Sequence, residues 1–404
     1  MPNRISAPTG SHAREPGQPI RRGPAVRSVL PRMITSLMAA TVIGVVAQAV
    51  PAHAAPGGSA PGTVFTNRDL PARSLARGAG SGDSFTYWTT GTDRAPRLST
   101  SIVQVPDGRA PKGGWPIVVW AHGSRGIADQ CAPSNQPTQA DRDEMGRWLD
   151  RGYAVVVPDY AGLGTKGTPE YFDTDTTASN IVDAVRASRD VASGLARRWA
   201  VVGEGQGAGA AIELARQATR IQGPTLDYRG SAASSIPVEF DTLIGSLGPS
   251  TTSMPNGVAA DVLFTLSAIR NAQPAVRLDP YLTDAGIGWL DRAARDCADD
   301  LTREFAGQTL GSLFRTPLSE NRELIEAVSR THMIPIKGFT RPVMMTQSLF
   351  DQNVIVPLSL RYLNDARAAD RRVTARTYLA VNQQQSDALS DNDIRWFVSR
   401  LANR

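Results

Sequence analysis

Histidine is scarce in this sequence: the 404 residues include four, and none follows His332. The two histidines beyond the N-terminal segment, His122 and His332, lie more than two hundred positions apart. No carboxylate cluster accompanies either, so their spacing supports no metal site. The glycines from Gly203 to Gly209 resemble a dinucleotide-binding turn only superficially, because no acidic residue is suitably placed on a following strand. We therefore expect neither a metal nor a cofactor.

A basic surface is also lacking, although the net charge is +5. The first 55 residues account for this excess, with one glutamate, Glu15, against the arginines Arg4, Arg14, Arg21, Arg22, Arg27 and Arg32. The remainder is near neutral and has no run of Lys and Arg interleaved with aromatic residues. Nucleic-acid binding needs such a basic face. We therefore expect no nucleic-acid partner.

Long apolar runs are confined to the N-terminal segment. An arginine-bearing stretch precedes the apolar residues Met33 to Val50, and small residues follow up to Ala54. This order is typical of a cleaved export signal. The apolar run is broken by polar residues and is too short for a comfortable membrane span. We expect residues 1–54 to be a signal peptide cleaved after Ala54, residues 55–62 to be a linker, and the mature protein to be secreted without a stable membrane anchor.

Cysteine is limited to Cys131 and Cys297. In an oxidising compartment, an even pair of cysteines in a large domain predicts a disulfide. We expect this bond to join the main domain to an insertion.

The pattern of apolar residues predicts an α/β fold with a mostly parallel central sheet flanked by helices. Alternating residues in 84–105 indicate opening antiparallel strands. Continuous apolar runs then indicate buried parallel strands, at 116–121, 154–158, 199–203, 343–347 and 373–379. Segments with helical periodicity at 140–150 and 177–195 alternate with these runs.

A long segment without strand patterns separates the third and fourth of these runs. Helical patterns occur within it at 258–269, 287–305 and 320–328, which predicts a helical cap or lid. The expected organisation is therefore a core of residues 63–238, a cap insertion of residues 239–340, and the rest of the core in residues 341–404.

Several motifs occur in a definite order along the chain. An apolar strand runs into His122, Gly123 and Ser124. A second strand enters the turn Gly203-Glu204-Gly205-Gln206-Gly207, which has the frame of a nucleophile elbow. Residues 153–164 form a strand ending in Pro-Asp-Tyr with glycines behind it, and Asp351 follows the next-to-last strand with Val-Pro after it.

Together these motifs resemble the secretory lipases of microbes over roughly residues 63–401. The resemblance implies an α/β-hydrolase fold, a helical cap over an acyl-binding pocket, and ester hydrolysis by a Ser, Asp, His triad. A lipid or ester is then the expected small-molecule partner. Fold transfers between relatives more safely than function does.

The position of the nucleophile departs from the family pattern, because Gly205 occupies the place of the elbow serine. Glycine has no nucleophilic side chain, and the neighbouring Glu204 and Gln206 leave the turn in other directions. A structural interpretation also exists, since glycine adopts positive φ without the strain that a serine would carry.

The position of the base departs as well. In the family a histidine follows the last strand, whereas Tyr378 is here followed five residues later by Gln383, with Gln384 as the alternative match. Glutamine forms hydrogen bonds but does not shuttle protons near neutral pH. Asp351 fits the position of the acid, and without a histidine to orient we expect it to anchor local hydrogen bonds. His122 is expected to shape the oxyanion loop, and together with Gly123, Ser124, Glu204 and Gln206 to line the pocket.

Two functions follow from this pattern. The first is a secreted, catalytically inactive lipase-like protein that retains a pocket for an acyl or other apolar ligand. The second is an active carboxylic ester hydrolase with a relocated mechanism, using Ser124 as nucleophile, or Glu204 or Asp351 as the base for water. A hydroxyl in the pocket within hydrogen-bonding reach of a carboxylate would favour the second.

Overall fold

The computed structural model describes residues 59–169, 171–252, 254–380 and 383–402, and for Gln383 only the backbone. The expected signal peptide and half of the expected linker lie outside these residues. Among the described helices, none combines the length and the apolar character that crossing a bilayer requires.

The centre of the fold is one mixed sheet with the spatial order β1-β2-β3-β5-β4-β6-β7-β8-β9. The strands, in chain order, are Val64–Asp69, Ala79–Thr90, Pro96–Pro106, Trp115–Ala121, Ala154–Pro158, Leu195–Glu204, Asp227–Ser234, Val343–Ser348 and Val373–Tyr378. The first three strands pair antiparallel and β3 is antiparallel to β5, whereas β5, β4, β6, β7, β8 and β9 pair parallel in this order. The expected mostly parallel α/β sheet is confirmed.

Helices cover both faces of this sheet. The α-helices, in chain order α1 to α10, are Gln139–Leu149, Thr174–Val191, Gln206–Ile221, Phe240–Ser246, Asn256–Ala272, Asp284–Ala293, Ala298–Phe305, Arg322–Thr331, Val356–Ala369 and Gln383–Ala402. Because side chains alternate along a strand, Ile117 and Val119 of β4 join the core formed with α2, α3 and α9. Val118 and Trp120 join the core formed with α1 and α10.

The helices α4 to α8 lie in the long connection between β7 and β8 and share an apolar core of their own. One expected helix differs from the structure. Residues 287–305 form two helices, α6 and α7, because the chain leaves the helical conformation at Cys297, whose φ and ψ are −82° and 163°. A strand was also missed, since β7 is rich in small residues (Gly230, Ser231, Ala232, Ala233) and lacks the branched residues typical of a strand.

Candidate active site

The turn between β6 and α3 has the geometry of a nucleophile elbow. Gly205, at this turn, has a φ of 51° and a ψ of −117°, a positive-φ conformation of the kind the sequence predicts. Its N–H donates to the Ser234 carbonyl of β7 at 3.1 Å. The elbow thus lies at the carboxyl ends of the central strands, where ligands of α/β proteins bind.

The three glycines of the elbow have different steric surroundings. A Cβ atom at Gly203 would lie 2.3 Å from the Gly207 carbonyl oxygen, and a Cβ atom at Gly207 would lie 2.0 Å from the Ala121 carbonyl oxygen. A Cβ atom at Gly205 would meet nothing closer than the Gly123 Cα atom at 3.6 Å. The outer glycines are therefore required for close backbone packing, whereas the central position has room for a side chain.

His122 lies at the end of β4 with its side chain fully buried. Its Nδ1 atom donates to the Gly123 carbonyl oxygen at 2.7 Å, and its ring stacks on Tyr160 with 4.5 Å between the centroids. Burial, with the nearby Arg125 charge, lowers the pKa of His122 to about 3. The imidazole is therefore neutral at pH 7 and held by packing.

His332, at the end of α8, is also buried. Its ring stacks on Phe240 with 5.3 Å between the centroids, and its Nδ1 atom lies 3.0 Å from the Val328 carbonyl oxygen. Burial lowers its pKa to about 4. Neither histidine lines the cavity that the elbow faces, so among the described residues the cavity has no imidazole base.

That cavity has a volume of about 720 Å³ and is bounded by the elbow, the loop after β4 (Gly123 to Arg125), α1, α5, α7, α10 and the end of β8. Its acidic lining residues are Asp141, Glu144, Glu204, Asp261, Asp299, Asp351, Asp387 and Asp391, and its basic ones are Arg125, Arg147 and Arg303. Carboxylates therefore outnumber arginines in a lining that also contains the apolar side chains of Trp120, Val202 and Ile394.

Glu204 places a carboxyl group next to the elbow glycine. Its surface is accessible from the cavity, but the enclosing protein displaces enough water to raise its pKa to about 7, and the negative charges of Glu144, Asp351 and Asp391 add to this effect. Arg125 acts in the opposite direction. Glu204 therefore exchanges a proton near neutral pH. Gln206, the other neighbour of Gly205, is buried.

Asp351, at the position of the triad acid, is buried and bonded to its own loop and to the preceding strand β8. Its Oδ1 atom accepts from the Asn353 N–H at 2.8 Å, and its Oδ2 atom accepts from the Gln347 side-chain amide at 3.1 Å. This is the arrangement of a local turn anchor. Gln383 begins α10, which follows β9 closely, and the next residue, Gln384, is exposed.

Ser124 shares the cavity wall with residues from distant parts of the chain. Asp261, a buried residue of α5, lines the same cavity as Ser124. The Tyr171 hydroxyl donates to Asp261 Oδ1 at 3.2 Å. Burial raises the pKa of Asp261 to about 7. The three residues are 47 or more positions apart in the sequence, so only the folded chain brings them together.

The disulfide expected between the two cysteines is present. Cys131 and Cys297 are bonded, with 5.4 Å between their Cα atoms. The neighbouring Ala298 N–H donates to the Arg125 carbonyl oxygen at 3.0 Å, and α7 follows directly. The bond therefore attaches a cavity-lining helix to the loop beside the elbow. Among the described residues, no group of histidine, cysteine and carboxylate side chains is arranged to hold a metal ion.

Comparison with known proteins identifies the family. The sequence profile described as secretory lipase matches residues 131–402, whereas no curated protein sequence matches the chain. Among solved structures, Candida antarctica lipase A in its closed state is 17% identical with a TM-score of 0.66, and the match covers 85% of this chain and 83% of that one.

Two bacterial structures are similar to the same degree. The rice cell wall degrading esterase LipA from Xanthomonas oryzae is 19% identical with a TM-score of 0.67, covering 82% of this chain and 94% of that one. A putative hydrolase from Legionella pneumophila is 16% identical with a TM-score of 0.67, covering 84% and 98%. At these identities the likeness establishes the α/β-hydrolase fold. Since the family profile spans most of the chain, the protein is a member of the secretory lipase family.

Proposed function

We propose that this protein is a secreted member of the family that has lost hydrolysis by the Ser, His, Asp triad and binds a small ligand in the retained cavity. The observation that carries the proposal is Gly205: the elbow keeps its positive φ and has room for a side chain, yet offers no nucleophile. Covalent catalysis by an elbow serine needs that hydroxyl.

The missing base supports the same conclusion. No histidine follows His332 in the chain, and the two described histidines are buried away from the cavity. The triad acts as a unit, so the loss of two members removes nearly all of its contribution. Asp351 is left with hydrogen bonds to its own loop and to Gln347 of β8.

The lining of the cavity limits the class of ligand. Burying a long acyl chain requires a continuous apolar wall, whereas carboxylates from four helices, the end of β6 and one loop interrupt the lining of this cavity. An anionic ligand would meet like charges, which disfavour binding. The ligand that fits is a short, neutral or cationic molecule, such as an ester with a basic head group.

Calorimetric titration of the mature protein with butyltrimethylammonium, butyrate and hexadecyltrimethylammonium tests this ligand class. We expect the short cation to bind more tightly than the other two, and Glu204→Gln to weaken its binding. Asp365→Asn is the matched control, because Asp365 is an exposed residue of α9 outside the cavity lining. Tighter binding of butyrate, or equal effects of the two substitutions, would contradict the proposed ligand class.

A further inference from the structure

A row of arginines lies at the edge of the sheet opposite the cavity. The strands β6, β7, β8 and β9 are parallel neighbours, so their first residues share one edge, while the elbow and the cavity are at the other. Five residues at or just before the starts of these strands are called the amino-edge arginines: Arg189, Arg197, Arg198, Arg341 and Arg371. Because they come from distant positions in the chain, the sequence shows no basic run, and only folding brings them together.

Two of the amino-edge arginines converge on a single backbone carbonyl group. Arg189 and Arg197 both donate to the Thr225 carbonyl oxygen, at 2.6 Å and 3.2 Å. Arg197 is exposed and Arg189 is half-buried. Their guanidinium groups therefore lie next to each other with like charges, which repel. An anion that bonds to both groups replaces this repulsion with two charge-assisted hydrogen bonds.

The row continues along the same edge. Arg198 donates to the Ala402 carbonyl oxygen at 2.8 Å, and Arg341 donates to the Tyr228 carbonyl oxygen at 2.9 Å. Arg371, at the start of β9, is exposed. A carbonyl oxygen fixes a guanidinium group but leaves its positive charge, since arginine does not lose its proton in proteins. Side chains that are already fixed lose less entropy when an anion binds.

Carboxylates do not balance these charges. The salt bridges that described residues form at this edge involve two other arginines, with Arg229 bonded to Asp227 at 3.0 Å and Arg372 to Asp370 at 3.9 Å. One further carboxylate in the described part of this edge is Asp190, which is exposed near the end of α2. The edge therefore has a positive charge, whereas the lining of the cavity at the opposite edge is mainly acidic.

The arrangement of the row indicates the class of ligand. Neighbouring strands lie about 4.8 Å apart, so the strands from β6 to β9 spread these charges along about 15 Å. The planar guanidinium group matches the geometry of phosphate oxygens. We propose that the amino-edge arginines bind a linear polymer of phosphate groups, which holds the protein while the cavity at the opposite edge stays accessible. This binding site goes beyond the proposed function and does not depend on it.

Two other anionic partners fit this edge less well. Single-stranded nucleic acid stacks its bases on accessible aromatic side chains, but Trp199 and Tyr228, the aromatic residues in the described parts of β6 and β7, are only 1% and 0% exposed. Peripheral binding to an anionic bilayer combines basic with apolar side chains. The exposed large apolar residues of the described chain lie away from the starts of β6 to β9.

Titration of the mature protein with long-chain inorganic polyphosphate, at NaCl concentrations from 50 mM to 200 mM, tests this proposal. The edge variant replaces three amino-edge arginines: Arg189→Gln, Arg197→Gln and Arg371→Gln. The control variant removes the same charge from three exposed arginines near β1 and in the turn between β2 and β3: Arg68→Gln, Arg73→Gln and Arg94→Gln.

The edge variant should bind polyphosphate at least about tenfold more weakly than wild type at 50 mM NaCl. Its plot of log affinity against log salt should also be less steep by about 2, because fewer phosphate groups are neutralised. A purely structural role of these arginines would leave that slope unchanged. The control variant should bind within about twofold of wild type.

Equal affinities of the edge and control variants would overturn the proposal. Tighter binding of oligodeoxythymidylate or of phosphatidylglycerol vesicles than of polyphosphate would assign the edge to nucleic acid or to a bilayer instead. Orthophosphate that competes equally at the same phosphate concentration would exclude a polymer site.

Modification of wild type with phenylglyoxal, followed by peptide mapping, tests the site without any substitution and therefore holds even where the edge variant does not fold. Polyphosphate should protect Arg197 and Arg371 but not Arg94. Equal modification rates of Arg197 and Arg371 with and without polyphosphate would contradict the proposed site. These measurements do not involve the cavity, so their failure would leave the proposed function intact.

Discussion

At the scale of single residues, the three elbow glycines differ in what requires them. Backbone packing requires glycine at the two outer positions, whereas at the central position the residue type is a matter of chemistry. The backbones of β4, β6 and α3 approach so closely that Gly203 and Gly207 exclude any side chain. Gly205 is free of that restriction. The motif could therefore be recognised from the sequence by its outer glycines, whereas the room left at its centre is visible only in the structure.

This difference predicts unequal effects of alanine at the two kinds of position. Gly207→Ala should lower the free energy of unfolding by at least about 3 kcal/mol or prevent folding, because the new methyl group meets the Ala121 carbonyl oxygen. Gly205→Ala should cost only about 1–2 kcal/mol, from the strain of positive φ. Urea unfolding measures both values. Equal costs would mean that the elbow backbone differs from the one described.

Ser124 marks the limit of sequence-based reasoning at this scale. The sequence identifies Ser124 as a pocket residue because it follows β4. Asp261, which lines the same cavity, belongs to α5, in a connection whose helical periodicity predicts a helix but not the direction in which that helix packs. Which residues of α5 face the cavity depends on tertiary packing, and no local pattern records it.

At the scale of secondary-structure elements, strands that contain a continuous run of branched apolar residues are the most predictable, whereas β7 was missed. Residues 154–158 are a strand with the predicted bounds, since a buried parallel strand reads as a continuous apolar run. β7 is buried but built from small residues, so its sequence resembles a loop. The break between α6 and α7 coincides with Cys297, where the disulfide and the hydrogen bond from Ala298 to Arg125 hold the chain.

The disulfide should stabilise α7 against opening of the cavity. It closes a sequence separation of 166 residues, and removing a native disulfide typically costs about 2–5 kcal/mol. The free energy of unfolding of the double variant Cys131→Ser, Cys297→Ser, measured in urea, should be lower than that of wild type by this amount. Amide hydrogen exchange should become faster in residues 298–305. Reducing agent should destabilise wild type but leave the double variant unchanged. If amide hydrogen exchange in α7 of the double variant were as slow as in wild type, the disulfide would not be what holds this helix.

At the scale of the whole molecule, buried carboxyl groups couple folding to pH. Burial raises the pKa values of Asp159 and Asp261 from 3.8 to about 7. The folded protein therefore retains protons that the unfolded chain has already released. The contribution of these two protonated carboxyl groups to the free energy of unfolding is lost as pH rises through about 7. His122 and His332 have lowered pKa values, so their contribution increases with pH and levels off above the ordinary histidine value of about 6.5.

The free energy of unfolding should consequently fall between pH 6.5 and pH 8. The two aspartates together account for a loss of about 1–2 kcal/mol over this range. Asp261→Asn should reduce the slope, because the amide does not titrate. The measurement is urea unfolding at a series of pH values in constant salt. Stability that rises from pH 6.5 to pH 8 would show that these carboxyl groups are not buried as described.

The central claim is that the elbow has lost a nucleophile and a base together, and its most direct test is p-nitrophenyl butyrate turnover in a set of rescue variants. Gly205→Ser and Gln383→His alone should each stay within about tenfold of wild type. The double variant, or the alternative pair Gly205→Ser with Gln384→His, should gain at least about 10³-fold, part of the roughly 10⁶-fold that a complete triad supplies. Folded double variants that both show no gain, or a wild-type protein that already turns over at the rescued rate, would contradict the claim.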